Sequence, residues 1–254
     1  MISRRKFLRT TSLASLALFV APQLAARSRK SGQPRLQLRK DDCILFYGDS
    51  ITDGNRNREN GGVSKPDALG GGYVLSVSSS LACRYPKMGF RFWNRGINGN
   101  KTFQMTARLD KDCLGLRYKP TVVSVLTGIN DYSLSLARTG KGDPEKYETD
   151  LRELLTRIRE GLPGVRLIVM EPYAIAGIRE KTDSFLPGFR TYQPVTKRVA
   201  EEFEAVFVPL QEHFDRAGER FGKKKFSADG IHPFSAGIEL IARAWLDAVE
   251  VAEE

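Results

Sequence analysis

The strongest constraint on the fold is a regular alternation of short apolar segments with longer amphipathic ones. The short segments are rich in β-branched and aromatic residues and predict strands at residues 43–47, 90–94, 121–126, 165–170 and 205–208. The longer segments have helical spacing and predict helices at residues 73–85, 102–114, 144–162, 188–203, 210–221 and 235–251. Strands that alternate with helices of this length need crossover connections, so the chain is predicted to form an α/β fold with a parallel sheet between two helical layers.

The first residues have the pattern of an export signal. Arg4, Arg5 and Lys6 precede an uncharged stretch of small and apolar residues at positions 10–24. The paired arginines followed by Phe-Leu predict a twin-arginine signal over residues 1–26, and thus a periplasmic or extracellular protein. An ordinary secretory leader and an uncleaved anchor are the alternatives. The stretch is short for a membrane span, which needs about 20 apolar residues, so no stable membrane insertion is expected after export.

The positive charge is concentrated at the N-terminus. The chain carries 40 Lys and Arg against 30 Asp and Glu. Ten of the basic residues and none of the acidic ones lie in residues 1–40, which leaves 30 basic against 30 acidic residues in the rest. Residues 27–40 are predicted to be a basic flexible segment and residues 41–254 the folded domain. A domain without net charge gives no reason to expect nucleic-acid binding.

Cysteine and histidine are both scarce. Three cysteines, Cys43, Cys83 and Cys113, fit no metal-binding spacing, so no metal or other cofactor is predicted. Cys83 and Cys113 could form a disulfide after export. Of the two histidines, His213 lies in a predicted helix, which leaves His232 as the candidate for chemistry.

Polar residues follow the predicted strands where ligands of an open α/β sheet bind. They lie in four segments, Gly48-Asp49-Ser50, residues 94–100, residues 127–131 and residues 227–233. Because the carboxyl ends of parallel strands share one edge of the sheet, these segments are expected to meet. Ser50 is a candidate nucleophile there, although Gly-Asp-Ser is also ordinary turn chemistry and the stretch alone favours neither reading.

These residues would together suit acyl transfer. A serine hydroxyl needs a base, for which His232 is the candidate, and Asp229 can orient its imidazole from three residues away. Attack on a carbonyl creates an oxyanion, which needs hydrogen-bond donors. The Ser50 and Gly99 backbone N–H groups and the Asn130 amide are the candidate donors.

Four sequence blocks resemble those of the SGNH (GDSL) hydrolase superfamily. They are Gly48-Asp49-Ser50, Gly99, Gly128-Ile129-Asn130-Asp131 and Asp229-Gly230-Ile231-His232, in that order. The resemblance implies a three-layer, flavodoxin-like fold with a five-stranded parallel sheet. It also implies that Ser50, Asp229 and His232 form the catalytic triad and that Ser50, Gly99 and Asn130 form the oxyanion hole.

Further motifs are similar to the bacterial acetylxylan esterases of that superfamily. They are Leu69-Gly70-Gly71-Gly72-Tyr73-Val74, residues 94–100, and His232-Pro233 followed by Gly237 and Ala242-Arg243-Ala244. This likeness implies deacetylation of xylan or xylo-oligosaccharides by an exported serine esterase. Ala228 departs from the pattern, since an aromatic residue would suit that position.

The substrate side is less constrained by the sequence. Asp49, Tyr132 and Ile231 are the candidate substrate-binding residues beside the predicted site. An acetylated carbohydrate is the expected partner, and a homo-oligomer is compatible with the sequence. A lysophospholipase or short-chain lipid esterase is the alternative enzyme, and an inactive carbohydrate-binding module on the same fold is the alternative of another class.

Overall fold

A computed structural model of the chain describes residues 34–59 and 62–252. The predicted export signal lies outside the described residues. The strands are β1 (Leu36–Leu38), β2 (Cys43–Gly48), β3 (Arg91–Gly96), β4 (Val122–Leu126), β5 (Arg166–Met170), β6 (Val206–Val208) and β7 (Val249–Val251). The α-helices are α1 (Ser50–Asp53), α2 (Pro66–Leu69), α3 (Tyr73–Arg84), α4 (Thr102–Ala107), α5 (Ile129–Thr139), α6 (Pro144–Gly161), α7 (Glu180–Phe189), α8 (Tyr192–Glu202), α9 (Gln211–Phe221) and α10 (Ser235–Asp247).

The main sheet has five parallel strands in the order β3-β2-β4-β5-β6. Numbered along the chain, this is the order 2-1-3-4-5 of flavodoxin-like folds. The predicted fold class is therefore confirmed. The chain leaves β2 toward one side of the sheet and later returns to its other side with β4. This change of direction opens a crevice at the carboxyl ends of the two strands.

The core lies on both faces of this sheet. Strand β2 is buried along its whole length, and its side chains alternate between the two faces. Ile44 and Phe46 pack in the apolar cluster with residues of α3 and α10, whereas Leu45 and Tyr47 pack in the cluster with residues of α6 and α8. Burial on both faces explains why the strand is a continuous apolar run in the sequence.

The sequence prediction was wrong for the helical region before β6. Two helices, α7 and α8, occupy this region, whereas one helix was predicted over residues 188–203. The spacing did not predict the first of them, because Pro187 and Gly188, which suggest a break, lie inside it.

Among the described residues, no helix is both long and apolar enough to cross a membrane.

The two ends of the domain pair with each other, which corrects two predictions. Strand β1 lies parallel to β7, with Leu36 opposite Val249 and Leu38 opposite Val251. Residues 36–38 were predicted to be flexible, but Leu36 and Leu38 are buried in the core. The last helix was predicted to reach residue 251, but it ends at Asp247 because the following residues form β7.

The possible disulfide between Cys83 and Cys113 is not formed in this structure. Both residues are free thiols, with Cys83 exposed and Cys113 buried. Cys83 lies on α3, whose apolar side packs on one face of the sheet. Cys113 belongs to the apolar cluster on the opposite face, so the sheet separates the two sulfur atoms.

Candidate active site

Ser50 lies at the first turn after β2, at the edge of the crevice. It is the first residue of α1, and the Asp49 carboxylate caps that helix by accepting the Ile51 N–H at 3.0 Å. The turn requires glycine at position 48, because a Cβ there would lie 2.5 Å from the Leu126 carbonyl oxygen of the neighbouring strand. The close approach of β2 and β4 therefore allows only glycine at the last position of β2, two residues before Ser50.

The structure brings the serine, the histidine and the aspartate together. Ser50 Oγ lies 3.0 Å from His232 Nε2, and His232 Nδ1 lies 2.7 Å from Asp229 Oδ2. The His232 side chain is 56% exposed, so the site opens to solvent on the imidazole side. The serine and the histidine lie 182 positions apart in the sequence and are joined here by a hydrogen bond.

Asp229 is held as a carboxylate. Its Oδ1 accepts the backbone N–H groups of Ile231 and His232, both at 2.8 Å, and the Ser227 hydroxyl at 3.0 Å. Partial burial would raise the pKa of Asp229, but the bond from the His232 ring and the two backbone N–H groups outweigh it and lower the pKa to about 2. The carboxylate is thus available to orient an imidazole and to stabilise its protonated form.

Residues that the sequence analysis did not predict hold the loop that carries Asp229 and His232. Thr182 Oγ1 on α7 donates to the Asp229 carbonyl oxygen at 2.6 Å, and Arg179 Nε donates to the Ala228 carbonyl oxygen at 3.1 Å. The buried Tyr173 hydroxyl donates to the Ile231 carbonyl oxygen at 3.0 Å. The Ser227 hydroxyl accepts the Gly230 N–H at 2.9 Å, a local turn that serine in Ser-x-x-Gly could have indicated.

Three candidate donors lie in the Gly48–Ser50 turn and in the two segments that contact it. As the first residue of its helix, Ser50 has an N–H with no intrahelical acceptor. Gly99 adopts a φ of +74°, which favours glycine, and its N–H makes no hydrogen bond within residues 34–59 and 62–252. Asn130 is the second residue of α5, so the helix fixes its backbone. Its Nδ2 donates to Asp49 Oδ2 and to the Asn100 carbonyl oxygen, both at 3.2 Å.

Asp49 is placed differently from the prediction that it binds substrate. Its side chain is buried and contacts Ile51 and Asn130, both within the protein. Burial raises the pKa of Asp49 to about 7, and the hydrogen bond from the Ile51 N–H opposes that shift. Because it is enclosed, Asp49 can act on the site only through the groups it positions.

Tyr132 is likewise not a cleft residue, and Ile231 is only half-buried. The Tyr132 ring is 4% exposed and packs between Phe185, Phe189 and Tyr192 in the core. The prediction that Tyr132 binds substrate is therefore wrong. Ile231 packs against the apolar clusters of both faces, and its half-exposed side chain beside His232 stays a candidate for substrate contact.

Metal ligands do not cluster in the described part of the chain. Residues 34–59 and 62–252 contain no group of three or more His, Cys, Asp or Glu side chains arranged to hold a metal ion. The chemistry of this site is that of a hydroxyl, an imidazole and a carboxylate in series, with amide donors beside the hydroxyl.

Several known proteins are similar to this chain in both sequence and fold. Residues 46–240 match the GDSL-like lipase/acylhydrolase family. The acetylxylan esterase of Geobacillus stearothermophilus is 34% identical over 215 residues, which cover 83% of this chain and 95% of that protein. A crystal structure of the acetylxylan esterase from that organism has a TM-score of 0.74 and 32% identity, covering 85% of this chain and 99% of that one. A Parabacteroides merdae crystal structure, assigned as a GDSL-like lipase, has a TM-score of 0.79 and 37% identity, covering 85% and 98%.

Proposed function

We propose that this chain is an exported esterase that removes acetyl groups from a carbohydrate such as acetylated xylan. The chain belongs to the GDSL-like lipase/acylhydrolase family and is a carboxylic ester hydrolase of the SGNH type. The observation that carries the proposal is the continuous hydrogen-bonded series from Ser50 Oγ through the His232 ring to Asp229. A binding module without catalysis would have no use for this series.

In the proposed reaction, Ser50 Oγ attacks the acetyl carbonyl carbon while His232 Nε2 takes the hydroxyl proton. Asp229, ionised because its pKa is low, stabilises the imidazolium through Nδ1. Collapse of the tetrahedral intermediate breaks the bond to the sugar oxygen, which receives the proton from His232. Water then attacks the acetyl group on Ser50 with the same base, and acetate leaves.

The negative charge of the intermediate would be held by the N–H groups of Ser50 and Gly99 and by the Asn130 amide. The two bonds that Asn130 Nδ2 makes in the resting site are long, at 3.2 Å each. One of its N–H groups can therefore turn partly toward the developing oxyanion, where a charged acceptor is stronger than a neutral carbonyl. Asp49 keeps the amide close to this position.

The exposure of the site favours a small acyl group on a large, hydrated alcohol. His232 is exposed and Ser50 is half-buried. A long acyl chain would need apolar shelter, whereas an acetyl group needs only the space beside the donors. The similarity to an acetylxylan esterase supports the same substrate class, and the similarity to a protein assigned as a lipase keeps a lipid ester as the competing candidate.

Hydrolysis of two model esters separates these candidates. We expect p-nitrophenyl acetate to be hydrolysed much faster than the octanoate, and acetate to be released from acetylated xylan. Ser50→Ala and His232→Gln should abolish both activities, whereas His213→Gln, at the other histidine of the chain, should leave them unchanged. Faster turnover of the octanoate would favour the lipid esterase. A Ser50→Ala protein as active as the wild type would contradict the mechanism.

Export is a separate part of the proposal and is supported by the paired arginines at positions 4 and 5. Arg4→Lys/Arg5→Lys in the full chain should retain the protein in the cytoplasm of a bacterial host with a twin-arginine system. The wild-type chain should appear in the periplasmic or extracellular fraction. Equal export of both chains would point to an ordinary secretory leader.

A further inference from the structure

A cavity of about 180 Å³ is lined by none of the proposed catalytic residues and is not used by the proposed reaction. Residues of α4, α5, α6 and α8 line it, among them Phe103, Asp131, Arg138, Lys146, Asp150 and Tyr192. At about 30 Å³ for each water molecule, its volume corresponds to roughly six waters, which suits one small ring and not an extended chain.

The topology places this cavity at the same edge of the sheet as Ser50. Helices α4 and α5 follow the carboxyl ends of β3 and β4, and α6 and α8 lead into the amino ends of β5 and β6. All four helices therefore begin at the carboxyl edge of the sheet. The cavity contains residues from the start of α4, α6 and α8, and residues along α5 from Asp131 to its last residue, Thr139.

The cavity is also joined to the proposed oxyanion hole by direct contacts. Asp131, which lines it, is the residue after Asn130 and accepts the Thr102 N–H at 2.9 Å. Asn130 in turn donates to the carbonyl oxygen of Asn100, two residues before Thr102. The same two segments thus form the oxyanion side of the active site and one wall of the cavity.

The charged groups of the cavity are of both signs and nearly balanced. Three carboxyl groups, on Asp131, Asp143 and Asp150, face two cations, on Arg138 and Lys146. Lys146 Nζ is held by Asp150 at 2.7 Å, whereas Arg138 makes no hydrogen bond or ion pair in the described part of the chain. An anionic ligand would meet three carboxyl groups, and an acyl chain would gain no hydrogen bond from any of these five groups. A neutral ligand with several hydroxyl groups can use both donors and acceptors.

An aromatic ring is exposed at the same place. The Phe103 side chain is one of the few large apolar groups on the described surface, with 40% of its area exposed. Lys146 Nζ lies 5.7 Å from the centre of this ring. A sugar ring has an apolar face and hydroxyl groups around its edge. An exposed aromatic face beside charged hydrogen-bonding groups is complementary to both.

We propose that this cavity is a binding subsite for a sugar ring of the substrate chain, near the sugar that carries the acetyl group. Phe103 contacts the ring face, and Arg138, Lys146 and the neighbouring carboxyl groups bind its hydroxyls. The proposal rests on the proposed function, since it assigns a carbohydrate as the alcohol part of the ester. It gives the enzyme a preference for acetylated oligosaccharides over simple acetyl esters.

The test compares kcat/KM for acetylated xylo-oligosaccharides and for p-nitrophenyl acetate. Phe103→Ala should lower kcat/KM for the oligosaccharides about five- to tenfold, the value of one aromatic contact, and leave that for p-nitrophenyl acetate unchanged. Arg138→Ala, at an exposed side chain, should act in the same direction. Phe221→Ala is the matched control: this ring is 50% exposed at the last residue of α9, does not line the cavity, and should affect neither substrate. Equal effects of Phe103→Ala on both substrates, or no effect, would overturn the subsite.

Direct binding distinguishes failure of the subsite from failure of the proposed function. If wild-type protein releases no acetate from the oligosaccharides, the proposed substrate is wrong. Unacetylated xylohexaose is then titrated calorimetrically into Ser50→Ala and into Ser50→Ala/Phe103→Ala. Binding to the first protein that weakens in the second supports the sugar site independently of catalysis. Binding to neither, or equally to both, overturns it.

Discussion

Thr182 Oγ1 donates a 2.6 Å hydrogen bond to the backbone carbonyl oxygen of Asp229, and this bond ties helix α7 to the loop that carries two of the three proposed triad residues. Thr182 is buried, and its methyl group packs against Gly230. A Cβ added at Gly230 would lie only 2.8 Å from this methyl carbon. Helix α7 therefore supports the position of the His232 ring over Ser50 without contributing a group to the reaction.

The first prediction concerns this support. Thr182→Val keeps the shape of the side chain but leaves the Asp229 carbonyl without its donor, which should lower the free energy of unfolding by about 1–3 kcal/mol. We expect kcat for p-nitrophenyl acetate to fall while KM changes little, because the loop that sets the Ser50–His232 distance is loosened. Both are measured well below Tm. Thr182→Ser restores the hydroxyl and should restore kcat; an unchanged kcat in the valine variant would show that α7 has no positioning role.

The second prediction concerns the proposed oxyanion hole. Asn130→Ala removes a donor from the developing charge and should lower kcat about 100- to 1,000-fold, with a small change in KM. Asn98→Ala, which removes an exposed amide one residue before Gly99, is the matched control and should keep the wild-type kcat. Steady-state kinetics with p-nitrophenyl acetate measure both variants. A loss in Asn130→Ala that appears only in KM would place Asn130 in substrate binding.

The third prediction follows from the buried carboxyl group of Asp49. Burial raises its pKa to about 7 in the folded protein, from about 3.8 in the unfolded chain. Between these values the folded state binds more protons than the unfolded state, so this group makes stability fall as the pH rises from about 4 to about 7. Asp131, with a pKa raised by burial to about 6, adds to the fall over the lower part of the same range.

Replacement of the carboxyl group tests this. Asp49→Asn cannot ionise, so its unfolding free energy, measured in urea, should decline less between pH 5 and pH 8 than that of the wild type. The exposed Asp41→Asn serves as a control and should follow the wild-type curve. The carboxylate of Asp229 does not interfere, because its low pKa affects stability only as the pH falls from about 4 toward 2. Parallel curves for Asp49→Asn and wild type would mean that Asp49 is ionised throughout.

The fourth prediction concerns the thiols. Iodoacetamide should modify Cys83 alone in the native protein and all three cysteines after unfolding, as counted by mass spectrometry. Burial raises the pKa of Cys43 to about 11 and that of Cys113 to about 12, so both are also short of the reactive thiolate. A reducing agent should leave Tm unchanged. If Cys83 did not react in the native protein, the result would support a disulfide with Cys113.

Most of the fold could be predicted from local sequence patterns. The five sheet strands were predicted within a few residues, because a strand buried on both faces must be apolar along its whole length, as β2 is. Helix α7 escaped prediction because Pro187 and Gly188 oppose a helix locally, and packing of Leu186 and Phe189 in the core outweighs that preference. The pairing of β1 with β7 joins the two ends of the domain, and short segments of three residues carry no signal of such a distant partner.

The sequence by itself determined the parallel α/β architecture and the chemical groups of the site, since both follow from periodicity and from side chains present in few copies, such as the two histidines. Tertiary structure alone decided which groups face the site and which are enclosed: Tyr132 and Asp49 are buried, Thr182 supports the loop, and a cavity forms between four helices. The physical reason is that burial and hydrogen bonding depend on residues brought together from distant parts of the chain, which no local pattern records.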